Sequence, residues 1–354
     1  MAARRGDPGM NRRSPRLLQV MAGAPHGGAE TFFVRLATAL QRAGQDQRIL
    51  IRRNADRAAS LRAAGVETTE LPFGNRFDLI TRLGFRRVIR SYAPDIVLTW
   101  MNRATDFCPR GPFVHAARLG GYYDLKYYRN CDELIGNTQA IVDYIKEQGW
   151  PPGRVHYLPN FVPAMTGPPI ARSSLDTPED AIVALALGRL HPNKGFDVLL
   201  EALGKTRGVY LWLAGEGPLG VALEGRATKL GLTGRVRLLG WRDDTGPLLA
   251  AADMLVCPSR SEPLGNVVIE AWSAGKPVLA TASAGPAALI RDGETGLLAP
   301  VENAAVLADA MMRLADDTTL RQRLGAAGHA AYLAEFHEDA VVAHYLSFFQ
   351  RVCR

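Results

Sequence analysis

The hydrophobic pattern of this chain switches repeatedly between two periods. Short, near-continuous apolar runs alternate with longer stretches whose apolar positions recur every three or four residues. In the first half, "RLLQVMAG" (16–23), "QRILIRR" (47–53), "DIVLTWM" (95–101), "FVHAARLG" (113–120) and "DELIGNT" (132–138) read as strands. "AETFFVRLATALQRAG" (29–44) and "DLITRLGFRRVIRSY" (78–92) read as helices between them. The second half repeats the scheme with "IVALALGRL", "VYLWLAG", "VRLLGW", "DMLVCPS" and "KPVLATA", helices intervening. Near-continuous apolar strands separated by helices indicate parallel sheets covered on both faces. The fold class expected is α/β, with two doubly wound, parallel-sheet Rossmann-like domains facing across a cleft.

The break between them is expected in "YLPNFVPAMTGPPIARSSLDTPED" (157–180), which is Pro-rich and lacks helical periodicity. The expected division is a disordered basic tail at 1–15, with Met10 as a candidate initiator, then domains at 16–162 and 163–335 and a last helical segment at 336–354. A length of 354 residues suits two ordinary domains, and 47% hydrophobic with 22% charged residues is ordinary for a soluble protein. The longest apolar run, "AIVALAL", is far too short to span a membrane. Cys108, Cys131, Cys257 and Cys353 are scattered without CxxC spacing, which argues against a zinc site or disulfide framework and fits a reducing cytoplasm. A formal net charge of +7 favours an anionic partner. No helix-turn-helix, zinc-finger or RRM-like pattern is present, so nucleic acid is set aside in favour of a phosphorylated small molecule or an anionic membrane face.

Ligands of open α/β sheets sit beyond the carboxyl ends of the strands, so the strand-to-helix loops are the candidates for chemistry. The first strand exits into "GAPHGGAETF", where Gly27 and Gly28 open a helix and could bring backbone N–H groups to an anion; a plain tight turn reads the same way. "LGRLHPNKGFDVLLEAL" sets Arg189 just past a strand and Lys194 just before a helix, two cations able to clamp a diphosphate. "LAGEGPLG" is a literal GxGxxG at Gly215, Gly217 and Gly220. It follows the second strand of its domain, however, and Pro218 stands at the expected helix start, so a dinucleotide site is the weaker reading. "SRSEPLGNVVIEAW" sets Glu262 before a helix beginning near Gly265 to Val267, and Glu270 one turn inside it. The free N–H groups of that helix start suit a diphosphate. A carboxylate on either side suits paired hydroxyls, which together describe a nucleotide sugar.

These elements, in order, resemble family 4 of the retaining glycosyltransferases, which have the GT-B fold. The matching stretches are "GGAE" (27–30), "GRL" with Arg189, "NKG" with Lys194, "GEGP" (215–218) and "EPLGNVVIE" (262–270), followed by "GKPVLAT" and "IRDGETGLL". The likeness covers nearly all of residues 16–350 and is stronger in the second half. It implies that Arg189 and Lys194 bind the donor diphosphate and that Glu270 holds the ribose. It further implies that Glu262 contacts the transferred sugar, that the backbone at Gly265, Asn266 and Val267 caps the phosphates, and that "DAVVAHYLSFF" crosses back to the first domain. The expected activity is a retaining, metal-independent transfer of a hexose-type sugar from a nucleotide-diphosphate donor, without a cofactor, to a glycan acceptor such as lipopolysaccharide or another lipid-linked saccharide. A nicotinamide-dependent dehydrogenase using Gly215–Gly220 and a non-catalytic sugar-nucleotide binder are the alternatives.

Many family members carry a histidine after a strand of the first domain; here Gly120, Gly121 and Tyr122 occupy that place and His115 lies inside the strand, so it inherits no role. The adjacent acids Asp243 and Asp244 read as helix N-caps rather than metal ligands. The segment from Phe77 sets Leu79, Ile80, Leu83, Val88 and Ile89 beside Arg82, Arg86, Arg87 and Arg90. This is a basic amphipathic helix, either covering its own sheet or lying on an anionic membrane. A cytoplasmic enzyme, peripheral on an inner membrane, is the expectation.

Overall fold

The computed structural model of the chain describes residues 13–25, 27–75 and 77–353. They divide into two compact units, one running to Leu158 and resuming at Val342, the other Pro159–Val341. Residues 1–12, to which most of the tail reading and Met10 belong, lie outside the described residues. The described end of that tail is held in place: Ser14 Oγ donates to Gln45 Oε1 at 3.2 Å, and Gln45 Nε2 donates to the Pro15 carbonyl. Ser14 and Pro15 are therefore tied to Gln45, where a free tail was expected.

In the first unit the elements run β1 (Leu17–Met21), α1 (Gly28–Arg42), β2 (Gln47–Arg52), α2 (Ala55–Ala63), β3 (Glu67–Leu71) and α3 (Leu79–Tyr92). They continue with β4 (Ile96–Trp100), α4 (Met101–Phe107), β5 (Val114–Leu119), β6 (Glu133–Gly136), α5 (Gln139–Glu147) and β7 (Val155–Tyr157). The seven strands lie in the order β3-β2-β1-β4-β5-β6-β7, and the pairings are parallel. All five residues of β1 and all five of β4 are buried, as continuous apolar runs at the centre of a doubly covered sheet must be. β1 pairs with β4 in the register Val20↔Thr99, and the strand order reverses between them. Asn54, Asp78 and Thr138 cap α2, α3 and α5 by accepting the N–H three residues on.

The second unit runs β8 (Ile182–Leu187), α6 (Phe196–Gly204), β9 (Val209–Ala214), α7 (Gly220–Lys229), β10 (Val236–Gly240), α8 (Thr245–Ala251) and β11 (Met254–Cys257). It continues α9 (Asn266–Ser273), β12 (Val278–Thr281), α10 (Ala284–Leu289), β13 (Leu297–Ala299), α11 (Ala304–Asp316) and α12 (Thr318–Ala331). Its six parallel strands are ordered β10-β9-β8-β11-β12-β13, reversing between β8 and β11. The last helix, α13 (Glu338–Val352), belongs mostly to the first unit. There Tyr345 is buried and its hydroxyl accepts from Arg118 Nε at 2.9 Å.

Both cores are anchored by fully buried tryptophans whose indole N–H groups are satisfied, as burial of a polar group requires. Trp100 donates to Gln19, Trp212 to Thr177 and Trp272 to the Thr295 carbonyl. Much of the Pro-rich stretch read as a linker is fastened to the second unit. The Val162 N–H reaches Phe336 O at 3.2 Å, and Arg172 binds the Ala251 carbonyl and Asp253. Among the described residues no helix is long and apolar enough to cross a membrane.

Candidate active site

The strand order of the second unit reverses between β8 and β11, so the loops leaving these two neighbours open a crevice at the carboxyl edge of the sheet. The loop after β8 carries Arg189 and Lys194; the loop after β11 carries Glu262 and leads into α9. They are joined backbone to backbone. Asn193 O accepts from the N–H groups of Arg260 at 2.8 Å and Ser261 at 3.2 Å. Gly195, at φ +63°, sits so close to Pro258 that a methyl group there would overlap the Pro258 carbonyl.

Lys194 Nζ donates to Glu262 Oε2, and Glu262 Oε1 accepts a long bond, 3.4 Å, from the Gly265 N–H. The side chains are 23% and 11% exposed, so the pair is largely withdrawn from water. A mostly buried Glu needs a partner, and this one has a cation. From sequence these two residues received separate duties; the structure places them in direct contact. Arg189 is exposed in the same loop, and Glu270 is half-buried on the second turn of α9. Gly265 is the N-cap of α9 at φ +72° and contributes no side-chain cap. The N–H groups of Asn266 and Val267 begin the helix, where the α-helical ladder supplies no acceptor. Arg189, Lys194, Glu262 and the start of α9 are thus collected at one sheet edge.

The GxGxxG glycines have a different explanation from a dinucleotide site. A side chain on Gly215 would overlap the Gly188 carbonyl oxygen, and one on Gly217 would overlap that of Leu190. The loop they form is stitched to the Arg189 loop by Leu190 N–H to Glu216 O at 2.9 Å and Leu219 N–H to Leu190 O at 3.1 Å. The Gly215 N–H is itself engaged by Gly240 O at 2.7 Å. Gly215 and Gly217 therefore brace the loop that carries Arg189. Helix α7 begins at Gly220, two residues beyond Pro218, where the sequence reading began it.

In the first unit, β1 exits into the loop with Gly27 and Gly28. Glu30 turns its buried carboxylate back into this loop and accepts from the Ala24 N–H at 2.7 Å. Any side chain on Gly23 or Gly27 would collide with that carboxylate. Arg57 binds the Ala24 and Pro25 carbonyls at 2.8 and 3.0 Å; burial pulls its pKa down, opposed by the charge of Glu30. Gly28 opens α1 with free space around it. His115 lies within β5 and is buried, its Nε2 3.0 Å from Thr99 Oγ1.

Several positioning residues went unread. Arg260 forks onto Asp197 with two bonds of 2.8 Å, binds Glu302 at 2.6 Å and donates to the Pro192 carbonyl, tying the β11 loop to α6. Its guanidinium holds Asp197 below the usual carboxylate range. Glu30 stood in plain sight within "GGAE"; Arg57 and Arg260 carry no local signal. One reading needs correction. Asp244 occupies the N-cap of α8 but makes no side-chain cap bond, because Arg242 holds its carboxylate at 2.7 and 2.5 Å; Asp243 accepts instead from Trp241 Nε1 at 2.8 Å. Among the described residues no group of three or more His, Cys, Asp or Glu side chains is placed to hold a metal ion.

Two parallel-sheet units with loops of this make-up define a GT-B glycosyltransferase, and comparison with known proteins gives the family. Residues 181–317 match the glycosyl transferases group 1 family, and residues 26–164 match glycosyltransferase family 4. The chain is 38% identical over 329 residues to the lipopolysaccharide core biosynthesis glycosyltransferase LpsE of Rhizobium meliloti, covering 90% of this chain and 95% of that one. It is 37% identical over 333 residues to LpsD of the same organism, covering 92% and 95%. The structure of Anabaena HepE in complex with UDP superposes with a TM-score of 0.80 at 20% identity, over 95% of this chain and 100% of that one. The chain belongs to the group 1, family 4 glycosyltransferases and has their GT-B fold. The nicotinamide and non-catalytic alternatives fall with that result.

Proposed function

We propose that this enzyme moves a hexose-type sugar, with retention of configuration and without a metal, from a nucleotide-diphosphate donor to a saccharide of the lipopolysaccharide core or a related lipid-linked glycan. The second unit binds the donor and the first the acceptor. The observation that carries the reading is the Lys194–Glu262 pair at the start of α9, with Arg189 in the adjoining loop. As the glycosidic bond to the diphosphate breaks, negative charge grows on the leaving phosphate. Arg189, Lys194 and the N–H groups of Asn266 and Val267 stand ready to receive it, in loops fixed by backbone hydrogen bonds before any substrate arrives. One lost donor in such a preorganised cluster typically costs about 3 kcal/mol of the barrier. Lys194 has three donors and spends one on Glu262, which leaves it able to meet a phosphate. Glu262 accepts from sugar hydroxyls and Glu270 from the ribose.

The lipopolysaccharide assignment is supported by the names of the two R. meliloti relatives, and HepE makes UDP the first nucleotide to try. A peripheral position on an anionic membrane, from the cytoplasmic side, is supported by α3 and the residues leading into it. Phe77, Leu79, Ile80 and Leu83 are 77%, 67%, 66% and 61% exposed, while Val88 and Ile89 pack on the core. Arg86, Arg87 and Arg90 are exposed on the same helix. Such a helix buries apolar side chains in the interface and sets its cations against anionic lipid.

A thermal-shift screen of nucleotides and nucleotide sugars tests the donor reading, because a ligand that binds only the folded chain raises its Tm. One nucleoside diphosphate and its sugar conjugate should stabilise the enzyme, and transfer should persist in EDTA. Stabilisation by none of them would refute the donor site, and loss of transfer in EDTA would refute the metal-free mechanism.

A further inference from the structure

The first unit has a recess of about 420 Å³ at the amino edge of its sheet, where β5, β6 and β7 begin. It lies on the opposite edge from the Gly27 loop, about 20 Å away by the length of a six-residue strand. Three arginines converge on it from three separate segments: Arg110 ahead of β5, Arg129 ahead of β6 and Arg154 ahead of β7. Asn130 Oδ1 steadies Arg110 by accepting from it at 2.8 Å. The carboxylate lining the recess, Asp132, is already bonded to the His115 N–H at 2.8 Å. His115 itself, its pKa pushed down to about 4 by burial, is neutral near pH 7 and adds no charge. Three cations against one carboxylate leave +2. A phosphate monoester carries about −1.5 to −2. Guanidinium forks match its oxygens, and no ammonium group takes part.

We propose that this recess binds a phosphate group, separately from the diphosphate site of the second unit. The phosphate belongs either to the headgroup of an anionic lipid or to a soluble phosphomonoester; the recess recognises the chemistry common to both.

The test is calorimetric titration of inorganic phosphate into the full chain, the Arg110→Gln/Arg154→Gln variant and Lys194→Met. The arginines are exposed, so the double variant should fold, which circular dichroism checks. A saturable binding component in the wild type that weakens at least about ten-fold in the arginine variant and persists in Lys194→Met is the expected result. Absence of saturable binding would overturn the proposal. So would weakening by Lys194→Met alone, since the phosphate would then sit in the donor site; this arm separates the proposal from the donor reading. Sedimentation with phosphatidylcholine vesicles containing phosphatidic acid identifies the source. Phosphatidylglycerol vesicles control for the general anionic attraction of α3: a preference for phosphatidic acid that is lost in the arginine variant assigns the site to lipid, and no such preference while phosphate binding is lost in that variant assigns it to a soluble phosphomonoester.

Discussion

Lys194→Met removes the cation from a pair that is only 23% and 11% exposed. Deleting one partner of a fully buried pair costs about 3–5 kcal/mol, and an exposed pair is worth about 0–1. Water reaches Lys194 but little of Glu262, which places the loss near 2 kcal/mol. For a unit of this size, 1 kcal/mol moves Tm by about 2–4 °C, so a fall of about 4–8 °C is expected. Glu262→Gln strands a more accessible cation and should lower Tm by less. In the double variant neither charge is left alone, and Tm should recover most of the loss while transfer stays absent. Nucleotide affinity separates the two roles. Lys194→Met should weaken nucleoside diphosphate by about ten- to a hundred-fold, as expected for a charged hydrogen bond. Glu262→Gln releases the third donor of Lys194 and should leave that affinity at wild-type strength or better, yet lower turnover of the intact donor. Differential scanning fluorimetry, calorimetry and a transfer assay on the four proteins complete the cycle. An equal loss of nucleoside-diphosphate affinity in both single variants would refute the division of labour, and additive Tm losses would refute the pairing.

Glu270→Ala should weaken every ribonucleoside diphosphate by about ten-fold while leaving 2′,3′-dideoxy analogues unchanged, which a competition assay reads directly. Gly215→Ala drives a methyl into the Gly188 carbonyl, so it should lower both Tm and turnover, whereas Gly225→Ala, where nothing lies within 4 Å, should do neither. The Asp197–Arg260 link adds an acid-side dependence: because the Asp197 pKa is depressed in the folded chain, its stabilisation is present above the ordinary Asp range and is lost as pH falls below about 4. Arg260→Gln should flatten that part of the stability–pH profile, and an unchanged profile would show that the fork contributes nothing.

Central strands were legible because burial on both faces writes an unbroken apolar run: β1, β4, β8 and β9 announce themselves. Three edge strands did not. β3 reads "ETTEL", polar on the face it shows to water, while β7 and β13 have three residues each, too few for any period. Helix α3 divides within itself. Phe85 and Tyr92 enter the core with Val88 and Ile89, but its first five residues leave Leu79, Ile80 and Leu83 outside. Periodicity gives the direction of an apolar stripe and is silent on how far along the helix the protein covers it.

The site divides along a similar line. Arg189, Lys194, Glu262 and Glu270 stood out as candidates because each belongs to a short motif that follows a strand. That Lys194 and Glu262 touch could not be named, since 68 residues separate them and the contact exists only because β11 pairs with β8. Parallel sheets built outward from the middle bring together the first and fourth strands of a unit, and the chain reports nothing of this locally. The glycines carry the same lesson. In sequence, Gly215 and Gly217 suggest a ligand close to the backbone; in the fold the close neighbours are Gly188 and Leu190, as Pro258 is for Gly195. Each of these glycines is one half of a contact whose other half lies in a different loop. The loops that carry Arg189 and Lys194 are held by these loop-to-loop contacts rather than by any loop alone.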